Sequence, residues 1–598
     1  TYELILLNFI LKQGVKMTLP KVGYYLKNKD TASFKIYAPF CDSLAIELDD
    51  SHQRIKLNKQ PGHYFTADIT PLPEGTMYWL VKNGTDVLPD PYSHYQPFDV
   101  HGPSMITLPK KPDNSNWQGI SYKKAIIYEL HLGTFTEEGT LKAACQKLIY
   151  LKTLGINVIE LMPICAFPGD RNWGYDGTYM FALNSSYGSY DDLKEFIEQA
   201  HSLGIAVIQD IVYNHFGPEG NYSGMLAPFT KAANTPWGAA VNYDQKDNSG
   251  IRDFYLNNAN YWLADVGLDG FRMDATALIL DESPKHILTE INELAQEIGA
   301  KENRQIIMIA EHLRNESKVT SANGYKFQAQ WCDDLNYALY AFLTGETMRH
   351  YRDFGSFNDI VKALKSCFVY DGTKLNTVYN NYMGEDGSHL DPATIVAHIQ
   401  NHDQVGNRPN GDRMSTTYGI KRALTAVTTV FASPYIPMIF MGEEYAEMNP
   451  FWFFESFKDQ WLIDAVQKGR RNEFSFSEDA KLLPPHDIET FIDSKLDWEL
   501  PATPPHAQVL EIYKSLIALK KEGIIGPHNR EEITIEADES KELIFIKTKR
   551  SITVINLSKN DYNTEELGLN SYKLVLNTDF DGVTNDLSKW SARIYLLN

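Results

Sequence analysis

Residues 268–274 read LDGFRMD, a short apolar run that closes on Arg272 and Asp274. Seven comparable runs stand at 125–133, 156–163, 205–213, 306–311, 328–335, 395–401 and 436–442, with longer stretches of helical spacing between them. Short strands alternating with helices are the pattern of βαβ units in a parallel sheet. Eight is the number that closes a barrel, so the chain is read as an α/β protein built on a (β/α)8 TIM barrel. The stretch 423–442 approaches the length of a membrane span, but Pro434 and Pro437 interrupt it. It is read as a buried helix followed by a buried strand.

Outward from the barrel the text changes. From 23 to about 108 short strand-like pieces such as SFKIYA (33–38) are broken by turn clusters, which predicts a small N-terminal β-sandwich. PKKPD at 109–113 is the linker. Past a helical stretch at 507–522, the runs 541–547 and 551–556 predict a C-terminal β-sandwich. The expected division is an extension at 1–16, a sandwich at 17–110, a catalytic barrel at 111–525 with a lobe inserted at about 217–258, and a second sandwich at 526–598. At 598 residues the chain is too long for one hydrophobic core.

Composition narrows the function. With 56 basic against 77 acidic side chains the net charge is −21, which repels phosphate backbones and anionic membranes, so neither nucleic acid nor membrane is an expected partner. Five cysteines without a CxxC pair argue against a disulfide framework or a structural zinc. The apolar opening at 4–11 lacks a basic leader and a cleavage site, so it makes a poor signal peptide, and Met17 is a natural start. A cytoplasmic location is expected.

In a barrel of this kind chemistry sits where strands run out into loops. The third run ends in Asp210, Asn214 and His215, the fourth in Arg272 and Asp274, the fifth in Glu311, and the seventh in His402 and Asp403. Any one of these acids could merely cap a helix. Together they predict a pocket in which crowding separates the carboxyls into one that stays ionised and one that holds a proton, the pair a glycosidase needs. Arg272, two residues before Asp274, lies on the same strand face and can orient it. His131, His215 and His402 arrive on different runs without metal-ligand spacing, and hydrogen bonds to sugar hydroxyls are the more economical reading. Trp237 can stack on a glucose ring or pack the lobe. No cofactor and no metal are expected.

At these residues the sequence resembles the α-amylase family, glycoside hydrolase family 13. The segments are DIVYNH (210–215), GFRMDATA (270–277), IAEH (309–312) and NHDQ (401–404). The resemblance implies Asp274 as nucleophile, Glu311 as general acid/base and Asp403 as the group that binds ring hydroxyls. Arg272, His215, His402 and Gln404 fall in its substrate-binding segments, and Tyr175 in WGYDG matches its stacking aromatic. Longer strings, among them YELHLGTFTEEGTL (128–141), NHDQVGNR (401–408) and FMGEEYAEMNPFWFF (440–454), resemble a subfamily that releases trehalose from a glucan ending in a trehalosyl unit. The activity implied is retaining cleavage of the α-1,4 bond beside that end. General α-glucanases, branching or debranching enzymes and a silent glucan-binding protein are the alternatives. Two places depart from the subfamily pattern: Ala277 stands where a His is usual, and Asn336 with Tyr337 where a His pair is usual. The resemblance puts both on the leaving-group side.

Overall fold

The computed structural model describes residues 19, 21–113, 116–473, 483–579 and 585–597. The extension expected at 1–16 lies outside the described residues. Eight parallel strands close into a barrel: β1 (Ile127–Leu130), β2 (Val158–Leu161), β3 (Ala206–Ile211), β4 (Gly270–Met273), β5 (Ile307–Ala310), β6 (Ala329–Trp331), β7 (Ile395–Ala397) and β8 (Ile436–Phe440). Each lies inside one of the eight apolar runs. Closure is made where Ile127 of β1 pairs with Met438 of β8. The stretch 423–442 is a helix, Ile420–Ala432, followed by β8, and no helix among the described residues is long and apolar enough to cross a membrane.

Side chains on a strand alternate between two faces. One set (Ile127, Val158, Ile208, Ile309, Trp331, Val396 and Met438 among them) forms a compact cluster of its own. The alternate set, Tyr128, Ile159, Val207, Phe271 and Met308, joins the larger core beneath the surrounding helices. The first set fills the barrel interior. Two residues further along the same face, the interior turns polar: Ile127 leads to Glu129, Val158 to Glu160, Ile208 to Asp210, Ile309 to Glu311 and Val396 to His398. The barrel is thus an apolar plug with a charged top, and the strands' carboxyl ends carry the charge.

Before the barrel stand two antiparallel sheets. One contains Gly23–Asn28, Thr31–Tyr37, Tyr64–Ile69 and Asn58–Lys59, the other Leu44–Leu48 and Met77–Lys82 with shorter neighbours. The Tyr64 hydroxyl donates to Asp253 Oδ2 at 2.5 Å and that of Tyr37 to the Asp247 carbonyl at 2.9 Å, tying the first sheet to the barrel's outer layer. Between β3 and β4 the chain makes a short hairpin, Thr230–Thr235 with Gly238–Val241, and a helix, Ser249–Asn260. After the barrel a sheet centred on Leu543–Thr548, Ser551–Asn556 and Ser591–Leu596 packs against the helix Ile420–Ala432.

Gly270 opens β4 where the strand runs close against β5. A Cβ there would lie 1.8 Å from the Ile307 carbonyl oxygen of β5. Gly270→Ala is expected to force β4 and β5 apart, and overpacking of this kind costs roughly 1–3 kcal/mol or more. The thermal unfolding midpoint should fall measurably, whereas Gly224→Ala, whose Cβ meets nothing within 4 Å, should leave it unchanged.

Candidate active site

The inward face of β4 delivers Arg272 to the centre of the barrel mouth, where it is fully buried. Its guanidinium lies over the Trp331 ring at 4.1 Å. Nη1 donates to Asp210 Oδ2 at 2.7 Å and to Asp274 Oδ1 at 2.8 Å, and Nη2 stands 2.8 Å from Glu311 Oε2. One planar cation therefore holds acids from β3, β4 and β5. Asp274 Oδ2 also accepts from Asn214 Nδ2 at 2.7 Å, which leaves the carboxyl one orientation. Directly after it the backbone is left-handed at Ala275, φ 40°, a conformation costly without glycine. That turn aims the Ala275 N–H at Glu311 Oε2, 2.8 Å away.

Burial is the largest influence on Glu311. Arg272 opposes it, the charges of Asp274 and Asp403 add to it, and the carboxyl is pushed up to about 8. Asp210 is raised to about 6, by burial first, with Arg272 again opposing and Asp274 reinforcing. The barrel mouth thus keeps a proton on Glu311 at neutral pH.

A second chain of contacts runs from β1. Glu129 accepts from His402 Nδ1 at 2.5 Å and from its backbone N–H at 3.0 Å. On the other ring nitrogen the Tyr175 hydroxyl sits at 2.8 Å, and that hydroxyl donates to Asp210 Oδ2 at 2.5 Å. The Tyr175 ring stacks on His402 at 5.0 Å. Burial works against charge on His402, but Glu129 and Asp403 outweigh it and raise the imidazole to about 9. Asp403, next in sequence, has a side chain 42% exposed and is held at Oδ1 by Asn407 Nδ2 at 2.9 Å. It opens on a cavity of about 360 Å³ that Glu311, Leu313, Asp333, Tyr337, Arg349, His350 and Gln404 also line.

The remaining predicted residues divide. His215 Nε2 contacts the Tyr175 carbonyl at 3.1 Å and its ring stacks on Trp237, which is half exposed. His131 is enclosed: Nδ1 faces Thr134 Oγ1 and Nε2 the Asn172 carbonyl and Tyr187 hydroxyl, so it supports the wall behind the site and does not line the cavity. Asn336 does not face the leaving-group side either, because it is buried and spends its amide on the Ile399 carbonyl. Tyr337 does line the cavity, stacked on His350 at 5.6 Å and 10°. Ala277 borders a separate open groove with Thr276, His286 and Arg314. Two acids were missed. Glu129 lies inside the first run and Asp333 inside the sixth. The period-two count finds both, since Glu129 follows Ile127 and Asp333 follows Trp331 by two residues. Among the described residues no group of three or more His, Cys, Asp or Glu is placed to hold a metal ion.

The carboxyl ends of the strands are where a (β/α)8 barrel carries its chemistry, and buried acids pushed into unequal protonation are what a glycosidase-type enzyme uses. The family model for the alpha amylase catalytic domain matches residues 107–227 and 241–481, and the chain belongs to the α-amylase family. Among curated relatives, the malto-oligosyltrehalose trehalohydrolase of Saccharolobus solfataricus is 41% identical over 505 residues, 84% of this chain and 87% of its own length. That of Rhizobium sp. is 39% identical, over 82% of this chain and 84% of the relative. A crystal structure of a provisionally assigned alpha amylase from Salmonella typhimurium superposes with a TM-score of 0.87 at 34% identity, covering 97% of this chain and all of that one. A pullulanase from Group B Streptococcus, solved with maltotetraose, shares the fold at a TM-score of 0.71 and 17% identity, covering 97% and 88% of the two chains.

Because the folded His402 is raised from 6.5 to about 9, the stabilisation it draws from Glu129 is complete below pH 6.5 and is lost as pH rises through 9. Glu129→Gln is expected to destabilise most at pH 6, by about 3–5 kcal/mol for a broken buried pair. Denaturant titrations at intervals from pH 6 to 9.5 should show the gap between variant and parent narrowing.

Proposed function

We propose that this chain is a retaining glycoside hydrolase that cleaves the α-1,4-glucosidic bond next to the trehalose end of a maltooligosyl trehalose, releasing trehalose and a malto-oligosaccharide. The observation that carries the chemistry is the single guanidinium of Arg272 in contact with both Asp274 and Glu311. Carboxyls held by one fork are near neighbours, which favours the roughly 5–5.5 Å of a retaining pair over the roughly 6.5–9.5 Å of an inverting one. The substrate end comes from the trehalohydrolase relatives at 41% and 39% identity.

Glu311, which holds a proton at neutral pH, gives it to the glycosidic oxygen as the bond to the anomeric carbon breaks. Asp274 attacks that carbon and forms a covalent β-glycosyl ester, its free oxygen still facing Asn214. Glu311, now a carboxylate, takes a proton from water, whose oxygen displaces Asp274 and restores the starting configuration. Asp403, anchored by Asn407 and partly open to the cavity, binds ring hydroxyls. Tyr175, Asp210, His402, His215 and Gln404 shape the pocket for the ring that is attacked. Placement in the cytoplasm accords with five cysteines that are all free and buried.

Products from maltotriosyltrehalose and from maltopentaose, separated by chromatography, test the reading. Trehalose from the first with little cleavage of the second is expected. Comparable release of glucose, maltose or transferred chains from maltopentaose would instead make the protein a general α-glucanase or transferase. Glu311→Gln should lower kcat/KM by roughly 10²- to 10⁴-fold. In the parent, the alkaline limb of kcat/KM should include an ionisation near 8, activity being present below it and lost above, because the acid must arrive protonated.

A further inference from the structure

Asp333 is the first residue of the helix Asp333–Thr344, two residues beyond Trp331, whose ring carries Arg272. Its side chain is 12% exposed. It lines the cavity that Asp403 opens on and also a smaller one reaching to Tyr379, and Glu311, Leu313, Tyr337 and His350 are common to both. Asp333 therefore sits in the septum beside the proton donor. Oδ2 accepts from the Tyr337 hydroxyl at 3.1 Å. Oδ1 is buried 3.5 Å from His398 Nε2 and has no hydrogen-bond partner among the described residues.

The groups around it are Asp403 after β7, Asp334 and Tyr337 on its own helix, Arg272 on β4 and His398 at the end of β7, with Glu311 and His350 across the septum. Two carboxylates lining one cavity, one of them enclosed, cannot both ionise cheaply. Asp333 is the more enclosed of the pair, so it is the one that stays protonated. We propose that Asp333 is a positioning residue for the cleavage reaction, a neutral carboxyl that fixes Tyr337 and places no second charge beside Asp403. Burial, followed by the charge of Asp403, raises Asp333 to about 7. Its ionisation therefore falls just below that of Glu311, and it sets two negative charges where the sugar hydroxyls bind. The proposal rests on the hydrolase reading.

The test is the pH dependence of kcat/KM for parent, Asp333→Asn and Asp333→Glu, on whichever of maltotriosyltrehalose and maltopentaose the parent cleaves. That choice keeps the substrate question apart from this one. The parent's alkaline limb should fall as two ionisations. Asp333→Asn, which accepts from Tyr337 but cannot ionise, should fall as one, with kcat/KM at pH 6 reduced only about two- to tenfold, the scale of one hydrogen bond. Asp333→Glu should restore the second ionisation. The proposal is overturned if Asp333→Asn keeps the parent's two-ionisation limb, if the parent itself falls as one ionisation, or if the Asn variant, folded by circular dichroism, loses as much activity as Glu311→Gln. Should Asp333→Asn fail to fold, an Asp333→Glu limb identical in midpoint and steepness to the parent's would overturn it, since moving the carboxyl one methylene must change its exposure to Asp403.

Discussion

A positive charge buried at the barrel mouth is the constraint on which everything else hangs. Taking a guanidinium out of water costs several kcal/mol even after relaxation. Arg272 recovers that cost only because Asp210, Asp274 and Glu311 surround it and the Trp331 face lies beneath it. The dependence is mutual. Without Arg272 three carboxyls would crowd one apolar pocket, and with it they are held at defined separations and in unequal states of protonation. The left-handed Ala275 belongs to the same arrangement, because its own N–H meets Glu311 at that strained turn. The strain is stored where the chemistry is.

Below that layer the interior changes character within two residues on nearly every strand. Ile127, Val158, Ile208 and Ile309 seal the barrel from water, so the acids above them work in a medium where each charge is felt strongly. Glu160 shows the limit of that environment. It lies beside Glu129 in the β1–β2 register, is completely buried, and is pushed well above the carboxylate range by burial and then by Glu129. Glu129 is paired with His402 at 2.5 Å, whereas neither carboxyl oxygen of Glu160 has a hydrogen-bond partner among the described residues. Of two neighbouring acids, the one with a cation beside it is an anchor and the other is a neutral filler.

Much of this was legible in the sequence because barrel strands are short, apolar and regularly spaced. The eight runs locate the strands, and acids at the ends of the third, fourth, fifth and seventh locate the mouth. What stayed hidden was parity. An apolar run read as a block does not say which of its residues face inward, so neither Glu129 in AIIYELHLG nor Asp333 in the sixth run stands out from its neighbours. Both announce themselves once the alternation is counted from Ile127 and from Trp331. His131 misled for the opposite reason: a polar residue at a strand end is a good guess for a ligand, but the loop bearing Asn172 and Tyr187 folds over it. Asn336 misled likewise, since helix phase turns position 336 into the protein and 337 toward the cavity. No sequence pattern sets the angle at which a helix leaves a strand.

The pairing of Ile127 with Met438 joins residues from nearly opposite ends of the barrel sequence, and Glu129 finds His402 only across that seam. Contacts so distant along the chain form late and slowly. While the protein is being synthesised, β1 must wait with an unpaired edge until β8 has emerged, a state prone to association with other chains. The reactive constellation consequently has no half-built form. Until the last strand docks, the imidazole and the carboxylate that stabilise each other sit on opposite flanks of an open sheet, so hydrolytic competence arrives in one step with the completed barrel.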